Sequence, residues 1–231
     1  MEKLIYALWA GDGGRDALNA ALRSDLATAL KPHVKSLRIN IQDDAVEGGN
    51  SPRFAIADPQ MDAFVQVWVD SAYNSRAAIE AALNDAAGRV EGWLVAESAV
   101  LPNETHSSQP GERTPGFSQM VCLTKPDHLE YDQWRSNWQD GHSKCAVETQ
   151  SNFEYIQNLV VRPLTDGMTQ ITAIVEECFP AGALHDKGIF YDAQDDPAKL
   201  AANEAAMMDS CANFMGPEGC ECIPTSQYDM I

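Results

Sequence analysis

The sequence predicts an α+β protein: two tandem ferredoxin-like modules of order βαββαβ, joined as a pseudo-dimeric α+β barrel. Three features of its 231 residues carry that expectation. A polar run rich in Pro, Gly and Ser, Pro102 to Gly116, cuts the chain nearly in half, as an inter-module linker would. The order of hydrophobic patterns before this run recurs after it. Strands such as Ala63 to Val69 (AFVQVWV) are apolar on both faces and need cover on both. Two sheets packed face to face, with helices outside, would supply that cover and enclose a pocket. The boundaries read as residues 1–103 for a first, degenerate module, 104–116 for the linker and 117–231 for the second module.

In the first half, Leu4 to Trp9 reads as a strand. Asp16 to Leu30 reads as a helix because Leu18, Leu22, Leu26 and Leu30 recur every fourth residue, and Pro32 ends it. Leu37, Ile39 and Ile41 alternate with polar residues in a second strand, and Ala63 to Val69 is the third. The Ala-rich Ser75 to Ala87 is a helix, and Gly92 to Val100 closes the half as a strand. The second half follows the same order. It has a strand at Ser118 to Thr124, a helix at Leu129 to Thr149, and strands at Tyr155 to Pro163 and Gln170 to Phe179. A helix at Pro197 to Phe214 and a last strand near Cys220 to Ile223 complete it. It differs by an insertion, Pro180 to Asp196, long enough to form a flap or rim.

Acids outnumber bases 34 to 16, for a net charge of -18, which argues against nucleic acid and anionic membranes as partners. No stretch approaches the roughly 20 apolar residues of a membrane span, and the amino terminus lacks the features of a signal peptide. The expectation is a soluble cytoplasmic protein. All six cysteines lie in the carboxy-terminal half and are expected to be free thiols; Cys220 and Cys222 have neither the spacing nor the second pair of a zinc site. Gly11-Asp12-Gly13-Gly14 reads as a turn, lacking the rest of a dinucleotide or phosphate fingerprint. No Gly-x-Ser-x-Gly occurs, so a hydrolase has little support.

The residues that could carry chemistry gather on the helix Leu129 to Thr149. At 100° per residue Tyr131, Trp134, Trp138, His142 and Cys145 fall within an arc of roughly 80°. The corresponding helix of the first half has plain leucines there. Two indoles beside an imidazole would favour its neutral form, suited to act as a base. A histidine near a helix end also caps carbonyls and complements the helix dipole, and large aromatics often serve cores, so spacing leaves both readings open. Tyr131 and Tyr155 are candidate phenol donors, Asp140 and Glu176 candidate orienters of the ring, and His185 and Tyr191 in the insertion a candidate lid.

The spacing Trp134-x-x-x-Trp138-x-x-x-His142 resembles the first-helix signature of EthD-like proteins, members of the dimeric α+β barrel superfamily. Phe64 to Glu97 is similar to that family's strand, helix and closing strand. The resemblance implies a fused pair of modules with one degenerate half, and His142 at the position of the family's helix-end histidine. It further implies a link to xenobiotic breakdown or polyketide tailoring, among barrels that act as lyases, cyclases, decarboxylases or monooxygenases, often without a cofactor.

The expectation is a cofactor-independent, lyase-like enzyme for dehydration, decarboxylation or cyclisation of a hydrophobic small molecule. His142 serves as general acid/base in that reading, with Tyr131, Trp134, Trp138 and Tyr155 around the substrate and no metal. The rivals are a non-catalytic binder of a hydrophobic ligand and a haem-binding barrel with His142 as ligand. Pairing of two chains through exposed sheet or helix faces is a further expectation.

Overall fold

A computed structural model describes residues 1–49, 54–55, 58–166, 170–216 and 219–231. The described residues form eight strands, with helices after β1, β3, β5 and β7: β1 (Glu2–Trp9), β2 (Ser36–Ile41), β3 (Ala63–Val69), β4 (Arg89–Leu101), β5 (Phe117–Leu123), β6 (Glu154–Pro163), β7 (Ala173–Phe179) and β8 (Glu221–Asp229). They close into one antiparallel barrel of order β1-β3-β2-β8-β5-β7-β6-β4. Helices α1 (Gly14–Arg23), α2 (Asp25–Leu30) and α3 (Ala72–Ala86) accompany the first four strands. With the last four come α4 (Tyr131–Arg135), α5 (Ser143–Thr149), α6 (Lys187–Phe190) and α7 (Pro197–Ala212).

This corrects the predicted fold class of two tandem ferredoxin-like modules forming a pseudo-dimeric barrel. The halves do not lay separate sheets face to face. Their edge strands hydrogen-bond instead, β2 with β8 from Arg38↔Asp229 to Ile41↔Ser226, and β4 with β6 from Trp93↔Pro163 to Leu101↔Tyr155. The reason is physical: an edge strand carries a row of unpaired N–H and C=O groups, and closure satisfies all of them at once. The resulting molecule is a single closed eight-stranded barrel with helices packed outside.

Closure explains the strands that are apolar on both faces. In β1, Leu4, Tyr6 and Leu8 point outward onto Leu18, Leu22, Leu26, Ile79 and Leu83 of the first helices. Ile5, Ala7 and Trp9 point inward and meet Phe64, Trp93, Met120, Ile174 and Ile223 in the lumen. A third cluster fills the space between the outer face of β5 to β8 and the second set of helices, with Trp134, Trp138, Phe179 and Phe190 at its centre. Each strand therefore serves two cores through its alternation of side chains.

The remaining differences from the sequence reading are local. Asp16 to Leu30 is two helices, broken at Ser24. The last strand runs on to Asp229, past Pro224, through Thr225, Ser226 and Gln227, polar residues that are all buried. The polar run at 102–116 lies close against the barrel: His106 stacks on Phe153 at 3.8 Å, and Thr114 and Arg113 pair with Gln227 and Tyr228 of β8. Among the described residues no helix is long and apolar enough to cross a membrane. Gly116 has φ +110, and a Cβ there would lie 2.2 Å from the carbonyl oxygen of Phe179. Gly116→Ala is accordingly expected to cost about 3 kcal/mol, read as a lower urea midpoint, through combined backbone strain and overpacking.

Candidate functional site

The helix predicted over Leu129 to Thr149 is continuous but not uniform. Between α4 and α5 the segment Ser136–His142 is π-helical, a wider turn that is rare and often found where function demands it. It changes where the aromatic stripe points. Trp134 is fully buried, and Tyr131 leans on it from outside with 45% of its surface exposed. Trp138, 5.3 Å from Trp134 between ring centroids, is also fully buried but borders a cavity of about 210 Å³. His142 borders the same cavity, with Nδ1 3.0 Å from the Ser210 hydroxyl and its ring 4.7 Å from that of Phe214.

The cavity lies between the outer face of the sheet and the helices of the second half. Its floor is Gln119, Val121, Tyr155, Val175 and Glu177 from β5, β6 and β7. Met207, Met208 and Cys211 of α7 form one wall, while Phe190 and Tyr191 of the insertion form another. At the rim Phe54, half-exposed, reaches over from the first half and pairs its backbone with Cys222 in both directions. The insertion is thus a packed rim: Asp186 caps α6 by accepting from Gly188 and Ile189, and Phe190 stacks on Phe179 at 4.5 Å.

Of the residues singled out by sequence, Trp138, His142, Tyr155 and Tyr191 meet at this cavity, whereas Tyr131, Trp134 and His185 are not among its lining residues. Asp140 sits on the exposed side of the π-helical turn, accepting from Ser136 at 2.9 Å. Glu176, the other proposed orienter, faces the lumen. Of the adjacent pair, Glu177 and not Glu176 borders the cavity. Along β7, Val175, Glu177 and Phe179 project toward the helices, while Ile174, Glu176 and Cys178 project into the barrel. The alternation of AIVEECF carried the signal, since Val175 and Phe179 share a face with residue 177.

The two carboxylates have opposite surroundings. Glu177 is 8% exposed, and its one hydrogen bond among the described residues comes from Asn152 Nδ2 at 3.4 Å. Burial pushes its pKa up to about 7, against a small opposing effect of Asn152. Its neighbours register its charge: burial first, and then Glu177, raise the Tyr155 phenol well above its ordinary value, and the same two causes push the Cys211 thiol up to about 12. Burial also lowers His142 to about 4, so this imidazole is neutral at physiological pH.

In the lumen, burial would raise Glu176 as well, but the Arg38 guanidinium and the Lys3 ammonium outweigh it. Helped by hydrogen bonds from Gln227 and Asn40, they hold Glu176 below the usual carboxylate range. Arg38 bonds Glu154, Glu176 and Asp229 together. Glu154, Glu176 and Cys178 are spaced as three metal ligands would be. Gln227 Nε2 lies 2.7, 2.8 and 3.2 Å from those same three groups, so an amide already fills the place a cation would take. This cluster is structural.

No protein-family model and no curated protein matches the chain. Solved structures do. An anthrone oxidase-like protein superposes with a TM-score of 0.56 at 9% identity, over 99% of this chain and 93% of its own. A proposed monooxygenase from Fusobacterium nucleatum gives 0.50 at 5% identity, over 100% and 92%. The likeness is one of fold. It does not single out EthD-like proteins.

Proposed function

We propose that this chain is an enzyme for a small, mainly apolar molecule, held in the cavity beneath the π-helical turn, and that Glu177 moves a proton on it. The observation that carries this is a buried carboxyl group with one long hydrogen bond, facing a cavity lined mainly by apolar side chains, where burial raises its pKa to about 7. A group that titrates near working pH can both take and return a proton. The role first given to His142 passes to Glu177, because an imidazole lowered to about 4 is a weak base. His142, held by Ser210, is instead a neutral hydrogen-bonding group beside the substrate. Trp138, Tyr155 and Tyr191 supply aromatic walls.

Elimination, decarboxylation and other lyase-like steps all begin or end with such a transfer, and so does oxidation of an acidic C–H by dioxygen, which accepts the electrons of the carbanion left behind. The name of the anthrone oxidase-like neighbour fits this class. The haem reading is not supported: at about 210 Å³ the cavity is below the roughly 300–1,000 Å³ of pockets for drug-sized ligands and does not fit a macrocycle. The test is proton exchange. Single-ring ketones, phenols and amines are incubated with the protein in deuterated water and followed by NMR. Enzyme-dependent deuterium uptake at carbon, lost in Glu177→Gln, is the expected result. Ligand binding without any exchange or turnover would make the protein a carrier instead.

A further inference from the structure

The cavity has a carboxylate but no cation. Among the described residues no Lys or Arg lines it, and the Glu177 carboxyl, in a residue 8% exposed, has only the 3.4 Å bond from Asn152. The rings of Trp138, Tyr155, Phe190, Tyr191 and Phe214 line the same cavity. The neutral groups there stay neutral at pH 8: His142 is lowered to about 4, Tyr191, Cys211 and Cys220 are pushed up to about 12, and Tyr155 is raised further still.

These facts discriminate between ligand charges. An anion would place a second negative charge beside Glu177 with nothing to offset either. A neutral ligand leaves the ionised carboxylate without a counter-charge. A cation supplies that counter-charge, and aromatic rings attract it through the negative faces of their π-systems, most strongly where water is excluded. The net charge of -18 draws cations to the molecule as a whole. We propose that the substrate of this cavity is an organic cation, a single-ring or similarly small amine whose ammonium group pairs with Glu177 among the aromatic side chains. The inference rests on the reading that this cavity is the functional site and adds the class of molecule it takes.

The experiment compares three probes of one shape, phenethylamine, 2-phenylethanol and 3-phenylpropionate, by calorimetry on the full chain at pH 8. Phenethylamine is expected to bind at least about tenfold tighter than the alcohol, with no binding of the carboxylate. In Glu177→Gln the preference should vanish through a weaker amine, while the alcohol binds as before; a thermal melt of the same sample establishes that the variant is folded. Tighter binding of the alcohol than of the amine overturns the organic cation and leaves the cavity as a site for neutral molecules. Binding by none of the three overturns both the cation and the site. A preference for the amine that survives in Glu177→Gln places the ammonium elsewhere and also overturns the proposal.

Discussion

Glu177→Gln is expected to abolish turnover and, at pH 8, to make the protein more stable than the wild type. The catalytic loss follows from removing a positioned acid–base group, about 10²–10⁴-fold in kcat. The gain in stability follows from the direction of the shift. Burial raises the folded-state pKa of Glu177 to about 7, above the unfolded value near 4.3. Between those values the folded protein binds more protons than the unfolded chain, so the contribution is full below the unfolded pKa and is lost as pH rises through about 7. Above pH 7 the wild type carries a buried, nearly unpaired charge at a cost on the order of 3 kcal/mol. Glutamine has similar shape and no charge. Urea titrations at pH 4.5, 6 and 8 should therefore show the variant's midpoint rising relative to wild type as pH increases. A variant that loses activity and stability together at pH 8 would mean that Glu177 is held by contacts the site does not display, and the proton-transfer role would fall with it.

His142 provides the control, because its shift has the opposite sign. A histidine lowered to about 4 contributes stability that is lost as pH falls through the window from about 6.5 to 4, where the unfolded chain binds the extra proton. The wild-type profile is the sum of two opposed slopes, and only the variants separate them.

The elements were legible because hydrophobic periodicity is a local signal. AFVQVWV reads as a strand with two covered faces, and the leucines at 18, 22, 26 and 30 read as a helix face. How those strands join was not legible, since β2 with β8 and β4 with β6 pair across more than 50 residues of chain through backbone groups that carry no side-chain signature. The same limit governs the site. Trp138 and His142 stand out through their spacing, but the π-helical turn alters which of the stripe's residues reach the cavity, leaving Trp134 in the core and Tyr131 outside. Glu177 escaped for a different reason: adjacent glutamates on a strand lie in different environments, and only the parity of the neighbouring apolar residues separates them. The buried polar residues of β8 carry no apolar pattern at all, and each has its own polar partner: Gln227 donates to Glu154 and Glu176 beside Arg38, Thr225 to the Ser118 carbonyl and Ser226 to the Asp43 carboxylate.

Arg38→Met is expected to lower stability by about 3–5 kcal/mol at pH 7, because it leaves Glu154 and Glu176 buried without their guanidinium. Arg38 is the point at which β2 of the first half is tied to β6, β7 and β8 of the second, through Glu154, Glu176 and Asp229. The deficit should shrink on acidification, and the sign differs between the two proteins. In the wild type Glu176 lies below its ordinary pKa, so its contribution is present at neutral pH and is lost as pH falls through the lowered value. In Arg38→Met burial is opposed by Lys3 and by the hydrogen bonds from Gln227, Asn40, Gln66 and Ser118 but no longer by the guanidinium, so Glu176 rises and protonation relieves the variant instead. Adding Glu176→Gln to Arg38→Met should restore part of the loss at pH 7 without acid, since it removes a charge rather than burying one alone. Equal urea midpoints for Arg38→Met and wild type at pH 7 would mean that water reaches these carboxylates, and the seam between β2 and β8 would then rest on its backbone hydrogen bonds and not on the charge cluster behind them.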